Sequence, residues 1–183
     1  MSPSKIVLSL IIIICFQSCT KNVDFDQIDD ASIHITYVST LVYLNLTAPK
    51  FLDTFNQEIA VTTDAVEATI TQDSKPYLEK VEFTVVTNNL FPRNFELSII
   101  FYDALGNSIY TLQPTIVVPP NSSELTTIIE IPQVDIPVIY ETKSFGFYIY
   151  LAPSSDGSTI SMNDTATLEL KSSVKLFFNY QKI

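Results

Sequence analysis

The chain has 183 residues and a net charge of −10, from 20 acidic against 10 basic side chains. That length suits one domain with a proper core, and so acidic a surface repels a phosphate backbone, which argues against nucleic acid as a partner. Glycine numbers only 3 and tryptophan is absent, while β-branched and aromatic residues abound, a balance that favours strands and disfavours disorder.

The N-terminus reads as a leader. Lys5 supplies a small positive region, and Ile6 to Phe16 is an apolar run broken only by Ser9. As a helix that run spans roughly 16 Å, about half of a bilayer core. It therefore fits the apolar stretch of a signal peptide rather than a membrane span. Ser18 directly before Cys19 resembles the lipobox of bacterial lipoproteins, in which the cysteine becomes the lipidated first residue. The order of isoleucine-rich leader, cysteine, acidic tether and β domain is similar to that of Bacteroidetes-type lipoproteins. Cys15 follows Ile14 and fits the cleavage position less well. The resemblance implies an anchor on the membrane through Cys19 and a place in the cell envelope, on the outer membrane. Residues 1–18 are then the leader, 19–31 the tether and 32–183 the folded domain. Cys15 and Cys19 are the only cysteines, so the mature chain would hold no free thiol, disulfide or thiolate metal site. Its net charge becomes −11, because Lys5 leaves with the leader.

The tether carries Asp24, Asp26, Asp29 and Asp30 with few apolar residues and reads as a solvated spacer. Ser32 to Leu46 is extended, with Ile33, Ile35 and Tyr37 alternating against His34 and Thr36. Ala48-Pro49 opens a single helical turn with Phe51, Leu52 and Phe55 at one-turn spacing. Ala65 to Ile70 alternates again, and Leu78 to Thr87 is a strand with Val81, Phe83 and Val85 on one face. Phe95 to Tyr102 and Ser108 to Leu112 form a hairpin across the loop Asp103-Ala104-Leu105-Gly106-Asn107. Thr115 to Val118 ends at Pro119-Pro120, and Leu125 to Ile131 alternates after the Asn121 turn. Pro132 to Lys143 is a connection with one short helix near Asp135. Ser144 to Leu151 sets Phe145, Phe147, Ile149 and Leu151 against Gly146, Tyr148 and Tyr150. After the polar loop Ala152 to Ala166, the last strand, Thr167 to Tyr180, puts Leu168, Leu170, Val174, Leu176 and Phe178 on one face.

Strands with one apolar face and no long helix predict an all-β chain, an antiparallel immunoglobulin-like β-sandwich of seven to nine strands. Val81 to Pro132, with the Asn88-Asn89 turn, the Gly106 hairpin and the proline-bounded strands around Ile116 to Ile131, resembles the sandwich of late-embryogenesis-abundant type 2 (water-stress-hypersensitive) domains. That resemblance implies a sandwich and no activity.

Catalytic chemistry finds little to work with. His34 is the only histidine, on the polar side of a predicted strand, whereas a general base needs positioned partners. The glycines are scattered at 106, 146 and 157, so no phosphate loop forms. Glu67, Glu79 and Glu82 are carboxylates that would have to converge in space, as glycosidase acids do, to act. No cofactor is expected and the chain reads as non-catalytic. Asp156, Asn163 and Asp164 share one polar loop and are weak oxygen ligands for a calcium ion, at no EF-hand spacing. Asp164-Thr165-Ala166 also resembles the O-glycosylation site of Bacteroidetes secreted proteins. Tyr148 and Tyr150 are either a stacking platform for a glycan or an envelope protein partner, or a second core layer under a covering segment. The expected function is a lipid-anchored binding or structural module, with a glycan-binding accessory lipoprotein and then a periplasmic hydrolase as alternatives.

Overall fold

The computed structural model describes residues 32–63, 65–68, 70–154 and 157–181. The expected leader to Ser18, the lipidation candidate Cys19, the expected tether to Ala31 and the metal candidate Asp156 lie outside the described residues. The strands are β1 (Ser32–Thr47), β2 (Val61–Thr62), β3 (Val66–Glu67), β4 (Leu78–Asn89), β5 (Phe95–Tyr102), β6 (Ser108–Thr111), β7 (Ile116–Val118), β8 (Ser122–Ile131), β9 (Ser144–Leu151) and β10 (Thr167–Gln181). They form two antiparallel sheets. One runs β1-β10-β4-β8; the other runs β2-β9-β5-β6, with β3 also on β9 and β7 also on β5. The two sheets pack as a β-sandwich, as the alternation predicted.

Register follows from which face must be dry. Phe83 on β4 stands opposite Val174 on β10 and Ile129 on β8, and Leu97 on β5 stands opposite Ile149 on β9. Slipping any of these strands by one residue would put its whole apolar set in water. Phenylalanine fills the space between the sheets in two clusters. Phe51, Phe91 and Phe95 meet at 5.0 to 5.8 Å between ring centres. Phe83, Phe101 and Phe145 meet at 5.5 to 6.2 Å.

The predicted strands at Leu78, Phe95, Ser108, Ser144 and Thr167 are present, and the connection near Asp135 holds a short helix, Ile136–Ile139, as expected. Three expectations change. Residues 33–38 do not split into a buried and a solvated face, because all six are exposed. β1 is an edge strand, and among the described residues the sheet edge across from it is built only of the two-residue β2 and β3, which leaves residues 33–38 exposed. The strand expected over Ala65 to Ile70 shrinks to Val66–Glu67. Phe55 does not join Phe51 and Leu52 in the core. It is 81% exposed at the tip of a turn that Asp53 closes by accepting from the N–H groups of Phe55 and Gln57.

Candidate functional site

The sandwich leaves an apolar cleft of about 270 Å³ between its sheets. One wall comes from β4 and β10, which contribute Val81, Phe83, Val174 and Leu176. The opposite wall is Phe101 of β5 and Phe145 of β9. The mouth lies between two sheet edges, Tyr37, Ser39 and Leu41 of β1 on one side and Glu67, Ala68 and Ile70 on the other. These are the edges that the short β2 and β3 fail to close.

Ile139 and Thr142 complete the lining from the connection between β8 and β9, and that segment is pinned at two points. Tyr110 donates to Asp135 at 2.9 Å, and Tyr140 donates to the carbonyl of Lys75. Burial, then the hydrogen bond and charge of Asp135, push the Tyr110 phenol up to about 12; burial alone raises Tyr140. Thr142 is 5% exposed, and its hydroxyl is buried without a partner among the described residues. A buried hydroxyl with no hydrogen bond is costly and uncommon. Glu67 is exposed, opposite Ser144 on the outer face of the sheet, and makes no ion pair among the described residues. Lys143 is near it in the chain path, its carbonyl accepting from Ala68 N–H, yet it does not line the cleft.

The other sequence candidates fall elsewhere. Tyr148 and Tyr150 are not a second core layer: they stand on the outer face of β9, 38% and 39% exposed, opposite Ser98 and Glu96 of β5. The ring of Tyr102 on that face lies 3.7 Å from where a Cβ on Gly146 would sit, covering the glycine. Glu79 accepts from Asn179 and Glu82 pairs with Lys80, so with Glu67 on the other sheet the three carboxylates do not converge. Lys80 also pairs with Glu130 at 2.8 Å, and these two carboxylates hold its ammonium above the usual lysine value. Asp164 caps its own turn by accepting from Ala166 N–H, and Asn163 N–H donates to Ser161. Among the described residues no group of three His, Cys, Asp or Glu side chains could hold a metal ion. His34 is exposed on β1.

Sequence reasoning missed Thr142 and also a buried ion pair. Arg93, 6% exposed, reaches Glu58 with both terminal nitrogens, at 3.0 and 3.2 Å, and donates to the carbonyls of Ser158 and Ala152. Glu58 also accepts from Ile160 N–H, so the pair ties the loop after β9 to the segment before β2. The signal was present in Phe91-Pro92-Arg93-Asn94-Phe95, a lone cation in an aromatic run. Asn89 beside it is fully buried and holds the corner, donating to the carbonyls of Arg93 and Pro119 and accepting from Phe91 N–H.

Among the described residues no helix is long and apolar enough to cross a membrane. No family model matches the chain, and no curated protein matches it. Solved structures similar to it include a presumed secreted protein of Parabacteroides distasonis, 13% identical with a TM-score of 0.48 over 64% of this chain and 38% of that one. Infectious bursal disease virus, Gx strain, is 10% identical with a TM-score of 0.44 over 81% and 33%. A Bacillus endospore appendage protein is 10% identical with a TM-score of 0.32 over 85% and 94%. The chain thus spans little more than a third of the first of these.

Proposed function

We propose that this chain is a lipid-anchored lipoprotein of the cell envelope, held on the outer membrane through Cys19, whose β-sandwich is a non-catalytic binding module. The single observation that carries the binding role is the cleft between the sheets. Its walls are aliphatic and phenylalanine side chains, with Tyr37 and Ser39 among the polar residues of its lining. Apolar pockets with a few polar groups are the usual form of a small-molecule site. A dry cavity of about 150 Å³ already admits benzene, so 270 Å³ accepts a larger apolar body. The anchor rests on the leader and on Ser18 before Cys19. Two or more acyl chains hold a protein on a membrane, whereas one gives only marginal binding.

Two measurements test this. Mass spectrometry of the mature protein from the membrane fraction should find Cys19 as an acylated first residue, and Cys19→Ser should abolish that species while Cys15→Ser does not. An unmodified N-terminus elsewhere would remove the anchor. For the cleft, the neutral apolar dye phenylnaphthylamine should gain fluorescence with the protein, and Ala68→Trp, which fills the mouth, should suppress the gain. Equal uptake by both proteins would refute the site.

A second reading is supported by Tyr148 and Tyr150. Residues two apart on a strand face sit roughly 7 Å from each other, and both rings are open to solvent, so they offer a stacking surface to a glycan or an envelope protein. Binding to a glycan array that the double change to Ala removes would favour it.

A further inference from the structure

We infer that the outer face of the β9 sheet holds an uncharged glycan lengthwise, stacked on Tyr102, Tyr148 and Tyr150, and rejects an anionic one. This rests on the second reading above, that the rings on β9 form a stacking surface. Tyr150 and Tyr148 stand two residues apart on that face, and two residues further on the ring of Tyr102 covers Gly146. Same-face positions are roughly 7 Å apart, so the row runs for roughly 14 Å. A ligand must be longer than a disaccharide to touch all three rings. At Tyr150 the row meets a hollow of about 220 Å³, lined also by Pro153 and by Glu58-Ile59-Ala60 before β2. Since about 150 Å³ admits benzene, this hollow accepts one sugar ring with its hydroxyls. Tyr110 and Tyr140 donate to Asp135 and Lys75, whereas among the described residues no hydrogen bond engages the hydroxyls of Tyr102, Tyr148 and Tyr150.

The class of ligand follows from what this sheet lacks. Its strands β2, β3, β5, β6, β7 and β9 contain no lysine, arginine or histidine, whereas β4 and β10 of the other sheet carry Lys80, Lys171 and Lys175. The charged residues of these six strands are Glu67, opposite Ser144, and Glu96, opposite Tyr150, one near each end of the row. Arg93 behind the hollow is 6% exposed, and Glu58 matches its charge. A sulfated or carboxylated glycan would therefore meet carboxylates with no cation to offset them. A neutral sugar presents C–H groups on the face of its ring and hydroxyls around its edge. The first suit the apolar body of tyrosine and the second its polar tip. Thr62 and Ser98, both opposite Tyr148, and Glu96 add acceptors beside the row. A protein partner would instead seek an apolar interface core, and the outer face of β5 offers Ile100 as its one aliphatic side chain.

The test is an array of hexasaccharides printed in pairs, each neutral backbone beside its sulfated or carboxylated counterpart, probed with the full chain carrying Cys19→Ser. A neutral member should bind, with its anionic counterpart about fivefold weaker, the upper end for exposed charges, and high salt should narrow that gap. Glu96→Gln should narrow it too. In titration calorimetry with the bound neutral hexasaccharide, Tyr102→Ala and Tyr148→Ala should each lose about tenfold in affinity, while Tyr148→Phe, which keeps the ring, should stay within about threefold. Should Tyr102→Ala fail to fold, the Tyr148 pair and Glu96→Gln decide, because both positions are exposed. Equal binding of both members of a pair, or undiminished affinity in Tyr148→Ala, would overturn the inference and leave a glycan site of another kind. An array with no bound glycan would overturn both the inference and the reading beneath it, and leave the face to a protein partner.

Discussion

Asp53 and Asp103 close two turns of different sequence with one set of bonds. Each accepts at Oδ1 from the N–H groups two and four residues on, and each exchanges backbone bonds with the residues three and four on. The residue three on has positive φ in both, 58° at Asn56 and 80° at Gly106. Apolar side chains, Phe55 and Leu105, ride at both tips, 81% and 86% exposed. An L-residue in this region costs about 1–2 kcal/mol, so Gly106→Ala should lower stability by that amount in denaturant unfolding. Hydrogen bonds from Asn107, side chain first and then backbone, hold the Asp103 carboxyl below its ordinary value. The stability it adds is present above its unfolded value and fades as pH falls through the lowered one. Asp103→Asn should flatten that acid branch of a melting-temperature profile. For Tyr110 the sign is opposite. Its native phenol is raised to about 12 from 10, so stability is kept below 10 and lost as pH climbs towards 12. Tyr110→Phe should remove that alkaline loss.

The element that most depends on a single contact is the loop after β9, which Arg93 and Glu58 fasten. Arg93 is the buried partner and Glu58 is partly exposed, so removing Glu58 leaves a buried cation and loses less than the about 3–5 kcal/mol of a fully buried pair. Glu58→Ala should therefore destabilise and speed hydrogen exchange at Ile160, whose N–H it holds. Tyr148→Ala with Tyr150→Ala should change stability far less, by about 0.5 kcal/mol per site, since surface substitutions usually do. These elements differ in how far sequence reveals them. β4, β5, β9 and β10 were legible because a strand with one dry face writes its period directly into the chain. The first half of β1 has the same period with no burial, because coverage depends on the opposing sheet, which local pattern does not encode. Glu58 and Thr142 were hidden for the same reason: 35 residues separate Glu58 from Arg93, and Thr142 is a common residue in an irregular connection. The cleft itself is a gap between edges, a product of strand lengths rather than of any motif.

For the whole molecule, the sandwich gains its core from phenylalanines of both sheets, and the cleft sits beside the Phe83, Phe101 and Phe145 cluster. Filling the cleft should tighten that cluster. An apolar ligand present at a hundredfold its dissociation constant should add about 2.7 kcal/mol to the unfolding free energy, read as a rise in melting temperature that Ala68→Trp does not show. The exposed first half of β1, with Ile33, Ile35, Tyr37 and Val38 open to solvent, presents an uncharged edge of the kind through which sheets join one another. Ile35→Lys should leave folding intact and reduce concentration-dependent association in sedimentation experiments.

The place of β10 between β1 and β4 has a meaning in time. The final strand of the chain is an inner strand of its sheet, and Val42 N–H donates to Ser172 Oγ across 130 residues of sequence. As a growing polypeptide leaves the ribosome, β1 waits for the neighbour that β10 supplies until the 130 residues from Val42 to Ser172 have been made. Each doubling of a loop costs only about 0.6 kcal/mol in closure entropy, so the delay shows in rate far more than in equilibrium. β1 is thus the segment that should stay open to protease longest in a nascent chain. A chain stopped before Thr167 should remain in that state, sensitive to protease along the sandwich, while completion of the fifteen residues of β10 releases it.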